Sequence, residues 1–194
     1  MFALGLQIDR PFLRAAKIQK GRFGVKVCAL KSATLTEPEN VKLLYKTKFN
    51  GRIVSGLSSK DLIIRFLDLK IGNTRHAREA LQFQSEGATH LNPLDTLAVP
   101  HAVRKSKSKV QAMLFSASRE ALKARLEECA KLEADPDCIG SNGLALVHFL
   151  RWKAPALSDA FIVDLGSNEW TASLMCNGEL ANSHALGIGT ETLL

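Results

Sequence analysis

An α/β fold is predicted for this 194-residue chain by three observations. A run of three short strand-like segments at 3–30 is echoed at 160–186, helix-like stretches lie between the two copies, and 46% of the residues are apolar at near-neutral mean hydropathy. That composition is enough to bury a core in one large or two small domains and argues against disorder as the main state.

Residues 3–9, 12–19 and 23–30 alternate apolar and polar side chains and are separated by Asp-Arg-Pro and Lys-Gly-Arg turn chemistry, so they are expected to form an antiparallel meander. Thr36-Glu-Pro-Glu39 has the spacing of a capping box, and a helix should follow through Val41 to Lys46. Phe49-Asn-Gly51 breaks it; Arg52–Ser55 and Leu62–Leu67 then read as strands joined by the polar segment Gly56 to Asp61. A helix is expected at about 75–86, with Ala77, Ala80, Leu81 and Gln84 on one face and Gly87 as its stop.

Residues 88–100 read as loop because of Asn92-Pro93 and Pro100, and the basic cluster Arg104–Lys109 as a solvated hairpin tip ahead of a strand at Val110–Ser116. Ser116 or Ser118 should open an amphipathic helix running to about Glu133. Cys138-Ile139 fits a short strand, Gly143–Trp152 a helix and 153–158 a linker. The last section then supplies strands at Ala160–Asp164, Trp170–Met175 and Leu180–Leu186, with Asn177-Gly178 a strong hairpin turn.

Charge arrives by Asp9 and no apolar run approaches the ~20 residues that span a bilayer, so the start is expected to be neither a signal peptide nor an anchor. Cys28, Cys129, Cys138 and Cys176 form no C-x-x-C pair and the histidines no H-x-x-x-H spacing; buried thiols in a reducing compartment are expected, with no zinc. The net charge of +7 is uneven: residues 1–60 hold 12 Lys/Arg against 3 Asp/Glu, the remainder 14 against 16. A basic first third suits an anionic membrane face or an acidic partner, and peripheral membrane association follows as an expectation. No aromatic platform or nucleic-acid motif accompanies it, so no nucleic acid is expected.

Asp164-Leu-Gly-Ser-Asn168 has phosphate-turn chemistry, with a carboxylate ending a strand, a glycine that lets backbone approach a ligand, and donors in the turn. The same residues also fit a plain tight turn in some other α/β binding domain, the aspartate capping local N–H groups. The order Phe161-Ile-Val-Asp-Leu-Gly-Ser, Trp170-Thr-Ala-Ser-Leu, Asn177-Gly-Glu-Leu and Ala185-Leu-Gly-Ile-Gly-Thr resembles the second phosphate hairpin of actin-like ATPases, in particular the PilM-like, FtsA-related group and the cytoplasmic domain of the type II secretion L subunit. The segments 53–58, 63–69, 77–86 and 92–95 look like the inserted subdomain of that group.

The resemblance implies an actin-like (ribonuclease H-type) fold: a first meander and helix over 1–50, an inserted subdomain over 51–118, returning helices over 119–153, and over 154–194 the start of a second subdomain, cut short at Leu194 where the family continues to its adenosine-binding residues. It implies a cytoplasmic scaffold at the inner face of the inner membrane, linking a short peptide of an inner-membrane pilus or secretion subunit to an assembly ATPase. ATP and Mg would be its cofactors. The residues carried across for them are Gln7, Asp9 and Arg10 in the first hairpin and Asp164, Gly166, Ser167, Asn168, Gly187 and Gly189 in the second.

The first hairpin departs from the family pattern. Gln7 stands where the family has the aspartate that organises water around Mg²⁺, Asp9 stands on a glycine, and Arg10 on a serine. Asp9 brings a side chain and a negative charge to where phosphate must approach, with Arg10 the expected partial compensation. A degenerate nucleotide site in a non-enzyme is the expectation; the alternative is an active ATPase that binds ATP and Mg at the hairpin containing Asp164 and Gly166.

Overall fold

The computed structural model describes residues 1–46, 49–69, 92–105 and 110–192. Strands β1 (Phe2–Asp9), β2 (Phe12–Gly21) and β3 (Gly24–Thr34) form the expected meander. The two-residue period of β1 sends Leu4, Leu6 and Ile8 to one face, where they join Leu13 and Ala15 of β2. Helix α1 (Glu39–Lys46) carries the chain over that face, so that β4 (Gly51–Leu57) returns parallel to β1. The short β8 (Cys138–Ser141) adds in parallel to β4, giving a five-stranded mixed sheet of order β3-β2-β1-β4-β8.

Helix α1 begins later than the capping pattern suggests: Thr36 bonds the Thr34 hydroxyl at 2.9 Å, and the first turn starts at Glu39. Val41 and Tyr45 reach the sheet, and the Tyr45 hydroxyl donates to the Leu132 carbonyl at 2.7 Å. That oxygen lies just past helix α2 (Arg119–Lys131), whose buried Cys129 packs in the same core. Of the cysteines expected to be buried, Cys129 is, but Cys28 and Cys138 are exposed, because β3 is an edge strand and Cys138 opens β8.

Between β4 and α2 the chain builds a separate antiparallel sheet of order β5-β7-β6 from β5 (Ile63–Leu69), β6 (Thr96–Lys105) and β7 (Val110–Ser118). Strand β6 corrects the loop expected up to Pro100. It lies at an edge of its sheet, where a proline's missing N–H breaks no interior ladder. The antiparallel pairing of Lys105 with Val110 fits a hairpin at the basic cluster, although 106–109 lie outside the described residues, as does the helix expected at 75–86. Ser118 caps α2, its hydroxyl accepting the Ala121 N–H at 3.0 Å, whereas Ser116 stays in β7.

Helix α3 (Asn142–Lys153), capped by Ser141, packs on a third sheet of order β11-β10-β9 made by β9 (Ala160–Leu165), β10 (Trp170–Cys176) and β11 (Glu179–Ala185). Val147 of α3, Met175, Leu180 and Met113 of β7 form the second core cluster. The β10–β11 turn is the expected Asn177-Gly178, with φ of 53° and 75° as a two-residue hairpin turn requires. Among the described residues no helix is long and apolar enough to cross a membrane.

Candidate functional site

The ends of β1 and β9 bring the two predicted hairpins together. On β1 the alternation that buries Leu6 and Ile8 turns Gln7 and Asp9 to the opposite face, toward the third sheet. Asp9 Oδ2 accepts the Ser167 N–H at 2.9 Å and its Oδ1 the Asn168 N–H at 3.4 Å. The Asn168 side-chain amide donates to the Arg10 carbonyl. The carboxylate of the first hairpin thus lies in the concavity of backbone donors that the second presents, an arrangement that suits an anion.

Gly166 and Gly189 shape that concavity. A Cβ on Gly166 would stand 2.4 Å from the Glu169 carbonyl oxygen and 3.3 Å from Asp9 Oδ2. A Cβ on Gly189 would meet the Ser167 carbonyl oxygen at 2.2 Å. Residues 189–192 form a strap beneath the turn, with the Thr190 and Glu191 N–H groups donating to the Gly166 and Ser167 carbonyls, each at 3.1 Å. Gly187 serves otherwise: at φ 70° it bends the chain from β11 into this strap, and nothing lies within 4 Å of where its Cβ would be.

The cation meeting Asp9 is Arg14 rather than Arg10: Arg14 Nη1 lies 3.3 Å from Asp9 Oδ2, while the Arg10 guanidinium turns to Glu128 of α2 at 2.8 Å. Arg14 faces Gln7 in the β1–β2 register, two residues before Asp9, which explains why it reaches the carboxylate. Asp164 is half-buried on β9 and faces a largely apolar cavity of about 710 Å³ with Gln7, Arg14 and Phe149 in its wall. Burial pushes its carboxyl pKa up, the Asp9 charge adds to this, and Arg14 opposes it. Gln7 also lines a polar cavity of about 520 Å³ with Arg125, Asn142 and Glu169.

Further contacts lay outside the sequence reading. Ser58, next to β4, approaches both oxygens of the Glu169 carboxylate, at 2.7 and 2.6 Å. Ser59 and Ser183 meet hydroxyl to hydroxyl at 3.1 Å, and Ser183 and Ser173 at 2.9 Å. These residues carry no signal in the sequence; Ser173 and Ser183 face each other within the β10–β11 hairpin, whereas the Ser58–Glu169 and Ser59–Ser183 pairs form only once the end of β4 lies beside the third sheet. Asp9, Ser58 and Ser59 thus tie the main sheet and its β4 extension to the third sheet, through Ser167, Asn168, Glu169 and Ser183. Among the described residues no group of three or more His, Cys, Asp or Glu is placed to hold a metal ion.

A five-stranded mixed sheet of this order, facing a second meander across paired hairpins, defines an actin-like (ribonuclease H-type) fold. No protein-family model matches the sequence, and no curated protein sequence matches it. Among solved structures the chain is similar to the PilM–PilN type IV pilus biogenesis complex, with TM-score 0.76 and 18% identity over 98% of this chain and 62% of that one. It is also similar to the cytoplasmic domain of EpsL, an inner membrane component of the type II secretion system of Vibrio cholerae, with TM-score 0.61 and 14% identity over 96% of this chain and 71% of that one. The chain therefore has the fold of these proteins and spans less than two thirds of the first one's length.

Proposed function

We propose that this chain is a non-catalytic cytoplasmic adapter of a type IV pilus or type II secretion machine, with a nucleotide cleft shut by its own side chains. The observation that carries the reading is the Asp9 carboxylate on the Ser167 and Asn168 N–H groups, held there by Arg14. A cleft whose phosphate donors are satisfied internally gains little from nucleotide, because any ligand must first break charge-assisted bonds. Gln7 adds to this by offering Mg²⁺ a neutral amide in place of a carboxylate.

The choice of machine is supported by the shared fold. One similar structure is a complex of PilM with PilN, and the other is the cytoplasmic part of an inner membrane component of a secretion system. By that likeness the partners of this chain would be a short cytoplasmic peptide of an inner-membrane subunit and an assembly ATPase, met at the inner face of the inner membrane.

Calorimetric titration with ATP and Mg²⁺ tests the closed cleft: the chain as it stands should give no binding at millimolar nucleotide, and Asp9→Gly should gain it. Micromolar binding by the unmodified chain that Asp164→Ala abolishes would instead establish the active-ATPase alternative. The adapter role is tested separately, by titrating peptides from the cytoplasmic tails of inner-membrane pilus and secretion subunits of the same organism. No binding to any of them would remove it.

A further inference from the structure

We infer that the tip of the β2–β3 hairpin is a peripheral contact for an anionic lipid surface, with Phe23 entering the headgroup region and Lys20, Arg22 and Lys26 facing lipid phosphates. The hairpin, residues 12–34, holds six Lys/Arg and no Asp or Glu. Two of the six are occupied, Arg14 by Asp9 and Lys17 over the rings of Phe2 and Phe49. Among the described residues, Lys20, Arg22 and Lys26 enter no ion pair, and all three are exposed.

Between them stands Phe23, 97% exposed, with the Arg22 guanidinium 5.8 Å from its ring centre. Gly21 pairs with Gly24, so Arg22 and Phe23 are the two central residues of the turn. Backbone chemistry does not call for an aromatic there: the equally short β10–β11 turn uses Asn177-Gly178. The tip also stands clear of the body. Gln19 is already opposite Phe2 near the start of β1, and a Cβ on Gly21 or Gly24 would meet nothing within 4 Å.

Basic residues on an edge strand can serve simply to repel a neighbouring sheet, which accounts for Lys26 and Lys31. That role gives no reason for a bare phenylalanine at the outermost point, since an exposed aromatic promotes the association such charges prevent. An apolar wedge ringed by cations matches a leaflet whose surface is anionic and whose interior begins a few ångströms below. Nucleic acid fits less well, because stacking would need a series of aromatics along a face and the tip offers one.

This inference rests on the proposed location at the inner membrane and names the surface that would meet it. The tip and Asp9 lie at opposite ends of the β1–β2 pair, separated by about 30 Å of strand, so a failure of lipid binding is distinguishable from a failure of the closed cleft. The test is flotation of the full chain with vesicles of phosphatidylcholine alone, or with about one third phosphatidylglycerol. Binding should require phosphatidylglycerol and fall with added salt. Lys20→Gln should lower the partition coefficient about fivefold, as expected for one basic residue near an anionic leaflet, and Phe23→Ala about tenfold, for the loss of apolar area buried in the headgroup region.

Lys123→Gln, on the exposed face of α2, should leave binding unchanged, and far-ultraviolet circular dichroism should find all three variants folded. The inference is overturned by equal partitioning onto neutral and anionic vesicles or by no partitioning at all. It is equally overturned if Lys20→Gln and Phe23→Ala bind undiminished, or if the chain prefers a DNA oligonucleotide to anionic vesicles.

Discussion

Replacing Asp9 with alanine tests the closed cleft most directly, because it opens one internal bond set without touching either core. The carboxylate is 12% exposed and accepts two backbone N–H bonds, a good one at 2.9 Å and a long one at 3.4 Å. Hydrogen bonds to charged groups contribute roughly 1.5–3 kcal/mol each, and the long one should lie at or below the bottom of that range. Adding a modest term for the half-exposed Arg14 gives an expected loss of ~2–4 kcal/mol. Urea denaturation at neutral pH measures it as a lower midpoint with an unchanged slope.

The same variant should regain stability in inorganic phosphate, because the vacated donors accept it and binding to the folded state alone contributes RT ln(1 + [L]/Kd). Wild type should gain nothing comparable at equal ionic strength. Asp9→Asn is the informative intermediate: its amide oxygen still accepts from Ser167, but the Arg14 pairing and the charge assistance are gone, so its loss should be smaller. A fully stable Asp9→Ala protein, or equal stabilisation of wild type and variant by phosphate, would refute the idea that Asp9 occupies an anion site.

The raised pKa of Asp164 means that the folded state keeps this proton to higher pH than the unfolded chain, so its ionisation costs stability progressively as pH rises from the acid range. Asp164→Asn should therefore raise the thermal midpoint at neutral pH, and the gain should vanish in acid; a gain that persists in acid would point to another cause. At the other face of the main sheet Glu133 pairs with Lys42 at 2.8 Å and Lys46 at 3.0 Å, and these bonds lower its pKa. That contribution is present above the unfolded carboxyl pKa and lost as pH falls through the lower folded one, while the raised pKa of Lys42 carries its share until strongly alkaline pH. Glu133→Gln should accordingly weaken the protein at neutral pH and be nearly silent once wild-type Glu133 is protonated, read from denaturation midpoints across the pH series. Gly189→Ala should cost about 1–3 kcal/mol, since its methyl would press on backbone rather than on a yielding side chain; an unchanged urea midpoint would mean the strap is free to move.

Wherever the physics is local, the sequence was legible. The alternation of Leu4, Leu6 and Ile8 marks β1, Ser118 caps α2, and Asn177-Gly178 can adopt the positive φ values that its hairpin needs. Strand β6 was missed because Pro100 is a breaker in most settings, and it is tolerated here by an edge position that no single segment reveals. At the candidate site, the residue types and the two turns were evident, while Gln7 and Asp9 stood out only through the family resemblance. That Arg14 and not Arg10 meets Asp9 was not evident, because it depends on where α2 offers Glu128 to Arg10.

By itself the sequence determined most of the strands and helices among the described residues, the duplicated meander and the basic bias of the first third. Each follows from side-chain period, turn chemistry or charge over a few neighbouring residues. Only the tertiary structure decided that the misplaced carboxylate reaches across to the second hairpin, since Asp9 and Ser167 are 158 residues apart, and that Ser58 meets Glu169 across 111. Those contacts have no local signature. They exist because the parallel crossovers set β1 and β4 beside each other with their ends toward the β9–β10 turn, and a contact of that range depends on sheet order rather than on the propensities of either segment.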